Sequence, residues 1–171
     1  MIRVFIVAAA LAAYAANPAS GNETAVAFLK SVEGFSSTAY RCPGGQMTIG
    51  YGFADAELVA RKDMTRHEAG RILAMKVSRI AADVRRLVGR RRLTHGQEAA
   101  LISIAYNVGM GKFARSRLLL MVRNGRPVEE IRAEILRWRY IIKGGRRMAC
   151  VGLYARRKRE AAMFREEQFN R

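Results

Sequence analysis

Three residues in the first third of the chain could support hydrolytic chemistry, and Glu33 is the first of them. Glu33 follows an apolar helical pattern and directly precedes Gly34, so it is predicted to end a helix. The negative end of the helix dipole disfavours an ionised carboxylate there, and this side chain is expected to hold its proton near neutrality. A general acid needs such a carboxyl group to protonate a glycosidic oxygen. The alternative is an ordinary solvated glutamate at a helix end.

The other two residues are Cys42, nine residues after Glu33, and Thr48, six residues further on. A helix end followed by the two strands of a hairpin can bring three such side chains to one wall of a cleft. Taken alone, Thr48 is equally a β-branched strand residue, and Cys42 is equally a buried, inert thiol. The chain has one other cysteine, Cys150, and two cysteines without paired spacing predict neither a disulfide scaffold nor a metal site.

The surrounding sequence predicts the elements that position these residues. A short helix begins at Asn22, and a hairpin with a Pro43-Gly44-Gly45 turn is predicted between Thr38 and Phe53. Capping boxes at Thr65 and Thr94 begin a long helix to about Val88 and a second helix toward Asn107. Shorter helices are predicted at Ser116–Arg123, Pro127–Trp138 and Leu153–Phe164. The predicted fold class is α+β, with a small β-containing lobe, a long connecting helix and a helical lobe.

Composition and charge limit the classes of partner. The chain has 171 residues, which suits one compact domain, and half of them are apolar. Its 31 basic and 14 acidic residues give a net charge of +17. Residues 1–60 hold 3 basic and 4 acidic groups, so the excess lies in residues 61–171, with 28 basic and 10 acidic groups. Such a charge predicts a polyanionic partner, with nucleic acid, anionic membrane and bacterial cell wall as candidates.

The N-terminus predicts export. Residues 4–16 form an alanine-rich apolar run preceded by Arg3, too short for an ordinary transmembrane helix. Ala13-Tyr14-Ala15 offers a cleavage site for a secretory signal peptide, so residues 1–20 are assigned to a signal. Two alternatives are an anchor that enters the membrane uncleaved and later leaves it, and a buried first helix. The export hypotheses place the protein beyond the inner membrane, in the periplasm or secreted.

Several motifs occur together in a familiar order. The first is Glu33-Gly34-Phe35…Tyr40-Arg41-Cys42-Pro43…Thr48-Ile49-Gly50-Tyr51-Gly52, and the others are Ala105-Tyr106-Asn107-Val108-Gly109, Trp138, Gly144-Gly145 and Gly152-Leu153…Arg156-Arg157…Glu160…Phe164. Together they resemble the phage-type lysozymes, or endolysins, of glycoside hydrolase family 24. The pattern of that family is Glu, eight residues, Asp or Cys, five residues, then Thr, and this chain matches the branch that carries Cys. The resemblance implies a lysozyme-like domain at residues 21–171, with lobes at about 21–62 and 63–171.

The resemblance also implies an activity and roles. The family consists of muramidases that cleave the β-1,4 bond between N-acetylmuramic acid and N-acetylglucosamine in peptidoglycan, without a cofactor. By position, Glu33 would be the general acid, Thr48 would hold the attacking water, and Cys42 occupies the aspartate position. The implied substrate-binding residues are Asn107, Tyr51 and Arg156, the last of which pairs with the helix-end glutamate region in relatives.

Two departures from the family pattern stand out. Many relatives have aspartate where this chain has Cys42, whose ordinary thiol is only slightly ionised at neutral pH. The thiol could be activated as a base, could attack carbon directly, or could only shape the pocket. Phe53 replaces a usual histidine, and an apolar contact is expected to substitute for the polar one. A disulfide between Cys42 and Cys150 would block the site, but a free Cys150 is the simpler expectation.

Two other function classes compete with hydrolysis. A non-enzymatic cationic protein on the same fold could permeabilise membranes, with 153–164 as a basic amphipathic helix. A nucleic-acid-binding protein is suggested only by charge, and the chain has no interleaved aromatics or recognition motif. We therefore expect a monomer whose partner is peptidoglycan, and not nucleic acid, with anionic membrane or lipopolysaccharide as additional partners.

Overall fold

The computed structural model describes residues 21–42 and 45–165. The export segment predicted at residues 1–20 lies outside the described residues. The described elements, in chain order, are α1 (Gly21–Glu33), β1 (Ser36–Arg41), β2 (Met47–Gly50), α2 (Ala56–Val59), α3 (Arg66–Val88), α4 (His95–Val108), α5 (Met110–Ala114), α6 (Arg117–Arg123), α7 (Val128–Leu136), β3 (Tyr140–Lys143), β4 (Arg146–Ala149) and α8 (Val151–Met163). Within the described ranges, every helix is too short or too polar to cross a membrane.

The two long helices begin where their capping residues predict. The Thr65 hydroxyl accepts a hydrogen bond from the backbone N–H of Glu68 at 3.2 Å, and α3 follows. Thr94 and Gln97 form a reciprocal capping box at the start of α4. These bonds satisfy backbone donors that the first turn of a helix leaves without partners, which is why both starts could be located from sequence.

The central element of the core is α4. Residues 98–105 of α4 are all buried, and α1, α3 and α8 pack around it. A helix that is covered on every side contributes no single apolar stripe, whereas α3 buries one stripe that includes Leu73, Val77 and Val84. The packing brings the end of α1 and the side of α8 together, although they are far apart in sequence.

The first hairpin carries two of the predicted site residues. In it β1 pairs with β2 antiparallel, with Tyr40 opposite Thr48, and an irregularity follows toward Ser36. After β2, Phe53 turns into the core and is 1% exposed. Gly50 has φ of +66°, and a Cβ there would lie 2.6 Å from the Phe53 ring, so the ring occupies the space that only glycine leaves open. The apolar contact expected for Phe53 is therefore present.

A second hairpin was not predicted. Strands β3 and β4 pair antiparallel from Tyr140 opposite Ala149 to Lys143 opposite Arg146. Gly144 and Gly145 connect them, and both have positive φ, which is the geometry of a two-residue type I′ turn. The short helices α2 and α5 were also missed. The α+β fold class is nevertheless confirmed, and the division into lobes at about residue 62 stays a prediction.

Candidate active site

Glu33 is the last residue of α1, and Gly34 with φ of +69° ends the helix behind it. Its side chain is 19% exposed and lines an open pocket of about 270 Å³ together with Phe35, Ser36 and Tyr40. The two carboxyl oxygens have different surroundings. Oε1 accepts a hydrogen bond from Arg156 Nη1 at 2.5 Å, while Oε2 lies 3.2 Å from where a Cβ on Gly52 would be. Oε1 is therefore held by the Arg156 guanidinium, and Oε2 lies beside Gly52, which has no side chain.

Arg156 connects Glu33 to a buried network. Its guanidinium donates to Glu160 Oε1 at 3.0 Å and to the hydroxyl and carbonyl oxygens of Ser103 at 3.1 and 3.2 Å. The Ser103 hydroxyl in turn donates to Glu160 at 2.6 Å. Arg156 is only 8% exposed, so each of these contacts lies in surroundings where charges interact strongly.

Glu160 and Arg157 complete the network. Both are 0% exposed, and Arg157 donates to the carboxylate of Glu160, to the side-chain oxygen of Asn107 and to the carbonyl of Trp138. Burial lowers the pKa of Arg157, and the charge of Glu160 opposes that effect. Glu160 is thus shared by two guanidinium groups, and Arg156 keeps one N–H free to hold Glu33.

The first hairpin presents Thr48 and Cys42. Thr48 is 6% exposed, and its hydroxyl has no hydrogen-bond partner among the described residues. Buried hydroxyls normally have a partner, so this one is suited to binding a water or substrate oxygen. Cys42 follows β1 and is partly exposed, with its backbone bonded to Gln46 and Gly45 across the turn. Cys42 and Cys150 are both free thiols, so the alternative disulfide is not formed here.

Tyr51 departs from the substrate-binding role expected for it. Its side chain is 3% exposed, and its ring contacts that of Phe35 with centroids 5.6 Å apart. Because the ring is enclosed by the core, it is not placed to contact a substrate. The backbone carbonyl of Tyr51 accepts a hydrogen bond from the Tyr106 hydroxyl at 2.7 Å.

Tyr106 received no role from the sequence. Burial raises the pKa of Tyr106 above its ordinary value, and the negative charge of Glu33 adds to the rise. Its hydroxyl therefore keeps its proton and remains a donor that joins α4 to the turn after β2. The sequence feature that could have identified Tyr106 is its position next to Asn107 in the motif at 105–109.

Asn107 lies at the edge of a large cavity. The cavity has a volume of about 1090 Å³ and is lined by parts of α1, α4, α7, α8 and the second hairpin, including Asn107, Trp138, Tyr140, Arg156 and Arg157. Asn107 is exposed, but its side-chain oxygen already accepts from Arg157. Sequence reasoning missed Ser103 and Glu160 as site residues. The i, i+4 spacing of Arg156 and Glu160 on α8 signals an ion pair, whereas nothing in sequence points to Ser103.

The arrangement can support acid catalysis beside a polar cleft. The predicted residues Glu33, Arg156 and Asn107 belong to one connected set of contacts, and Thr48 offers an unpartnered hydroxyl on the neighbouring hairpin. Among the described residues there is no group of His, Cys, Asp or Glu able to hold a metal ion.

Comparisons with known proteins show the family to which this chain belongs. Residues 30–160 match the model of the family described as phage lysozyme. The endolysin of Acyrthosiphon pisum secondary endosymbiont phage 1 is 29% identical over 143 residues, covering 84% of this chain and 96% of that protein. The endolysin of Bacillus phage PZA is 32% identical over 145 residues and 84% of this chain. This chain spans about half of that longer relative, or 54% of its length.

A solved structure extends the similarity to the fold. The muramidase domain of SpmX from Asticaccaulis excentricus superimposes with a TM-score of 0.74 at 30% identity. The match covers 84% of this chain and 96% of that domain.

Proposed function

This chain belongs to the phage lysozyme family and is a lysozyme, and we propose that it cleaves the β-1,4 bond between N-acetylmuramic acid and N-acetylglucosamine. The substrate is bacterial peptidoglycan, and the biological outcome is lysis of the cell wall. The observation that carries the proposal is the Glu33 carboxyl group, which lines an open pocket and is held by Arg156.

In this proposal Glu33 is the general acid. Arg156 donates to Oε1, so that oxygen acts only as an acceptor, and the proton to be delivered is carried on Oε2. Oε2 lies against Gly52, where the absence of a side chain leaves room for the leaving-group oxygen. Arg156 fixes the orientation of the acid and neutralises the carboxylate that remains after proton transfer.

Thr48 and Cys42 act on the attacking water or on the anomeric carbon. The buried Thr48 hydroxyl positions the attacking water, because it can accept from that water and donate to it. Cys42 occupies the position of the second catalytic residue, where its thiolate takes the proton of the water, attacks the anomeric carbon, or leaves catalysis to Thr48 and shapes the pocket. Asn107 and the large cavity beside it bind the wall polymer.

Export and charge bring the enzyme to its substrate. We propose that residues 1–20 direct the chain across the inner membrane, by a cleaved signal or a released anchor. The net charge of +17 then concentrates it on the anionic wall, an effect that falls with salt.

The main test compares Glu33→Gln with Glu57→Gln. Glu57 is an exposed carboxylate on α2, so its amide variant controls for the loss of one negative charge. The release of reducing sugar from purified peptidoglycan should fall about 1000-fold in Glu33→Gln and stay at the parent rate in Glu57→Gln. Equal rates for parent and Glu33→Gln, with both proteins folded by circular dichroism, would remove Glu33 from the mechanism.

A second experiment identifies the bond and the role of Cys42. Mass spectrometry of the released muropeptides should find reducing muramic acid ends, whereas anhydro ends would mean a transglycosylase and reject hydrolysis. Cys42→Ala should lower the rate strongly if the thiol acts as base or nucleophile, and only slightly if it shapes the pocket. The non-enzymatic alternative predicts instead that killing of cells persists in Glu33→Gln without any sugar release.

A further inference from the structure

The second hairpin, β3–β4, projects from the molecule. All of its residues whose exposure is described are exposed. A Cβ added to Gly144 or Gly145 would meet no atom within 4 Å, so the turn points into open space. An isolated two-stranded hairpin gains little stability on its own, and here both of its faces are accessible.

This projecting hairpin carries large apolar side chains. Ile142 is 72% exposed, Met148 is 48% exposed, and Val151, just beyond the hairpin, is 86% exposed. Single exposed apolar residues are ordinary on protein surfaces, but several on one projecting element indicate an interaction site. We call Tyr140, Ile141, Ile142, Met148 and Val151 the hairpin patch.

Cations surround the hairpin patch. Residues 135–159 contain nine basic residues and no acidic one. Arg156 and Arg157 are buried in the network described above, and the exposed cations are Arg137, Arg146, Arg147, Lys158 and Arg159. Three of the cations lie over tyrosine rings: Arg147 over Tyr140 at 4.0 Å, Lys158 over Tyr154 at 5.2 Å, and Arg139 over both rings. The exposed surface is therefore apolar at its tip and positive around it.

The pairing register separates two faces of the hairpin. Tyr140, Ile142 and Arg147 share one face and line the large cavity. Ile141, Met148 and Arg146 belong to the opposite face, and of these only Ile141 also lines the cavity. Met148 and Arg146 are thus free for a second interaction while the inner face borders the cleft.

We propose that the outer face and tip of the β3–β4 hairpin dock on an anionic phospholipid bilayer. Aliphatic side chains at a projecting tip enter the boundary of the acyl chains, and the arginines around them pair with lipid phosphates. Glycan chains offer hydroxyl and amide groups, which complement Asn107 and the arginines of the cavity rather than Met148. This inference stands apart from the proposed hydrolysis, because none of its steps uses Glu33.

The helix at 153–164, which the alternative hypothesis placed on the membrane, is packed into the body of the molecule. In α8, Arg156, Arg157 and Glu160 are buried in the active-site network, and Ala161 lies in the core. Removing this helix from the body would break those contacts. The membrane-contacting role therefore passes from 153–164 to the hairpin that precedes it.

The test compares two tryptophan variants of the full chain, Met148→Trp and Leu120→Trp. Leu120 is a matched control, because it is 56% exposed on α6, away from the hairpin. Phosphatidylglycerol vesicles with brominated acyl chains should quench the added Met148→Trp fluorescence, measured relative to the parent, but not that of Leu120→Trp. Equal quenching of both, or none in Met148→Trp, would overturn the proposal, and residues 4–16 would then explain any binding.

Charge and self-association provide two further readouts. Arg146→Gln should weaken sedimentation with phosphatidylglycerol vesicles about fivefold, and Arg90→Gln, a charge loss at the end of α3, should weaken it less. Phosphatidylcholine vesicles should bind none of these proteins through the hairpin. If light scattering instead shows that the parent dimerises without lipid and Met148→Ser does not, the hairpin patch is a contact between copies and the lipid proposal fails. Glu33→Gln should bind vesicles as the parent does, so failure of one proposal leaves the other intact.

Discussion

Two arginine pairs that lie ten residues apart in sequence differ in burial: one pair is buried and the other is exposed. Arg156 and Arg157 on α8 are 8% and 0% exposed, and carboxylates hold both of them. Arg146 and Arg147 on β4 are exposed, and Arg147 contacts a tyrosine ring rather than an acid. Burial makes the first pair part of the folded core and of the candidate active site, whereas the second pair is exposed and can meet an external anion.

The comparison shows how a strongly basic sequence divides its charge. A guanidinium can be buried only if counter-charges and hydrogen-bond acceptors satisfy it, and Glu160, Ser103, Asn107 and Glu33 do so for the α8 pair. No carboxylate among the described residues pairs with Arg146 or Arg147. Net charge alone thus overstates how much of the positive charge serves binding.

The same substitution in each pair gives the largest expected contrast. Arg157→Met removes a buried charge and leaves Glu160 and Asn107 with fewer partners, so the free energy of unfolding should fall by about 3–5 kcal/mol. Arg147→Met removes a surface contact with Tyr140 and should cost less than about 1 kcal/mol. Urea denaturation of the two variants measures both values. Similar losses would mean that burial does not separate the pairs.

A smaller effect is expected from the hydroxyl that joins the buried charges. Ser103→Ala removes the bonds to Glu160 and Arg156 and should lower the free energy of unfolding by about 1–2 kcal/mol. Ser36→Ala is a suitable control, because that hydroxyl donates to the Thr38 carbonyl within β1, outside the buried network. A loss in Ser36→Ala as large as in Ser103→Ala would argue against a special contribution from the network.

The smallest effect concerns an exposed ion pair between Asp55 and Lys76. The hydrogen bond from Lys76 lowers the pKa of Asp55 below 3.8, so the pair stabilises the fold above about pH 4 and loses this effect as pH falls. Asp55 is 46% exposed, and Asp55→Asn should therefore cost less than about 1 kcal/mol at neutral pH. The difference in unfolding free energy between parent and variant should disappear when both are measured near pH 2. A difference that persists there would have a cause other than ionisation.

The parts of the fold that were predictable have local causes. Thr65 and Thr94 cap their helices through bonds to residues three positions ahead, and the first hairpin surrounds a turn marked by proline and glycine. The second hairpin has a local signal too, since Gly144-Gly145 between β-prone residues favours a type I′ turn. It was missed because its strands are only four residues long and β4 begins with two arginines, a composition unlike that of a buried strand.

The candidate site was predictable only in part. The positions of Glu33 at a helix end and Thr48 on a strand follow from nearby residues. The partner of Glu33 comes from 123 residues away, and the Ser103 contact joins two helices whose packing is set by the core. Tyr51 shows the converse, because a motif position suggested substrate contact while packing against Phe35 enclosed its ring.

The amino-acid sequence by itself determined the helix starts, the first hairpin, the order of the family's motifs and the excess of positive charge. These features depend on hydrogen bonds and spacing within a few residues, or on composition alone. Only the tertiary structure decided which arginines are buried, which oxygen of Glu33 is held, and which hairpin carries its apolar residues into solvent. The physical reason is that burial and ion pairing depend on side chains brought together by packing from distant parts of the chain.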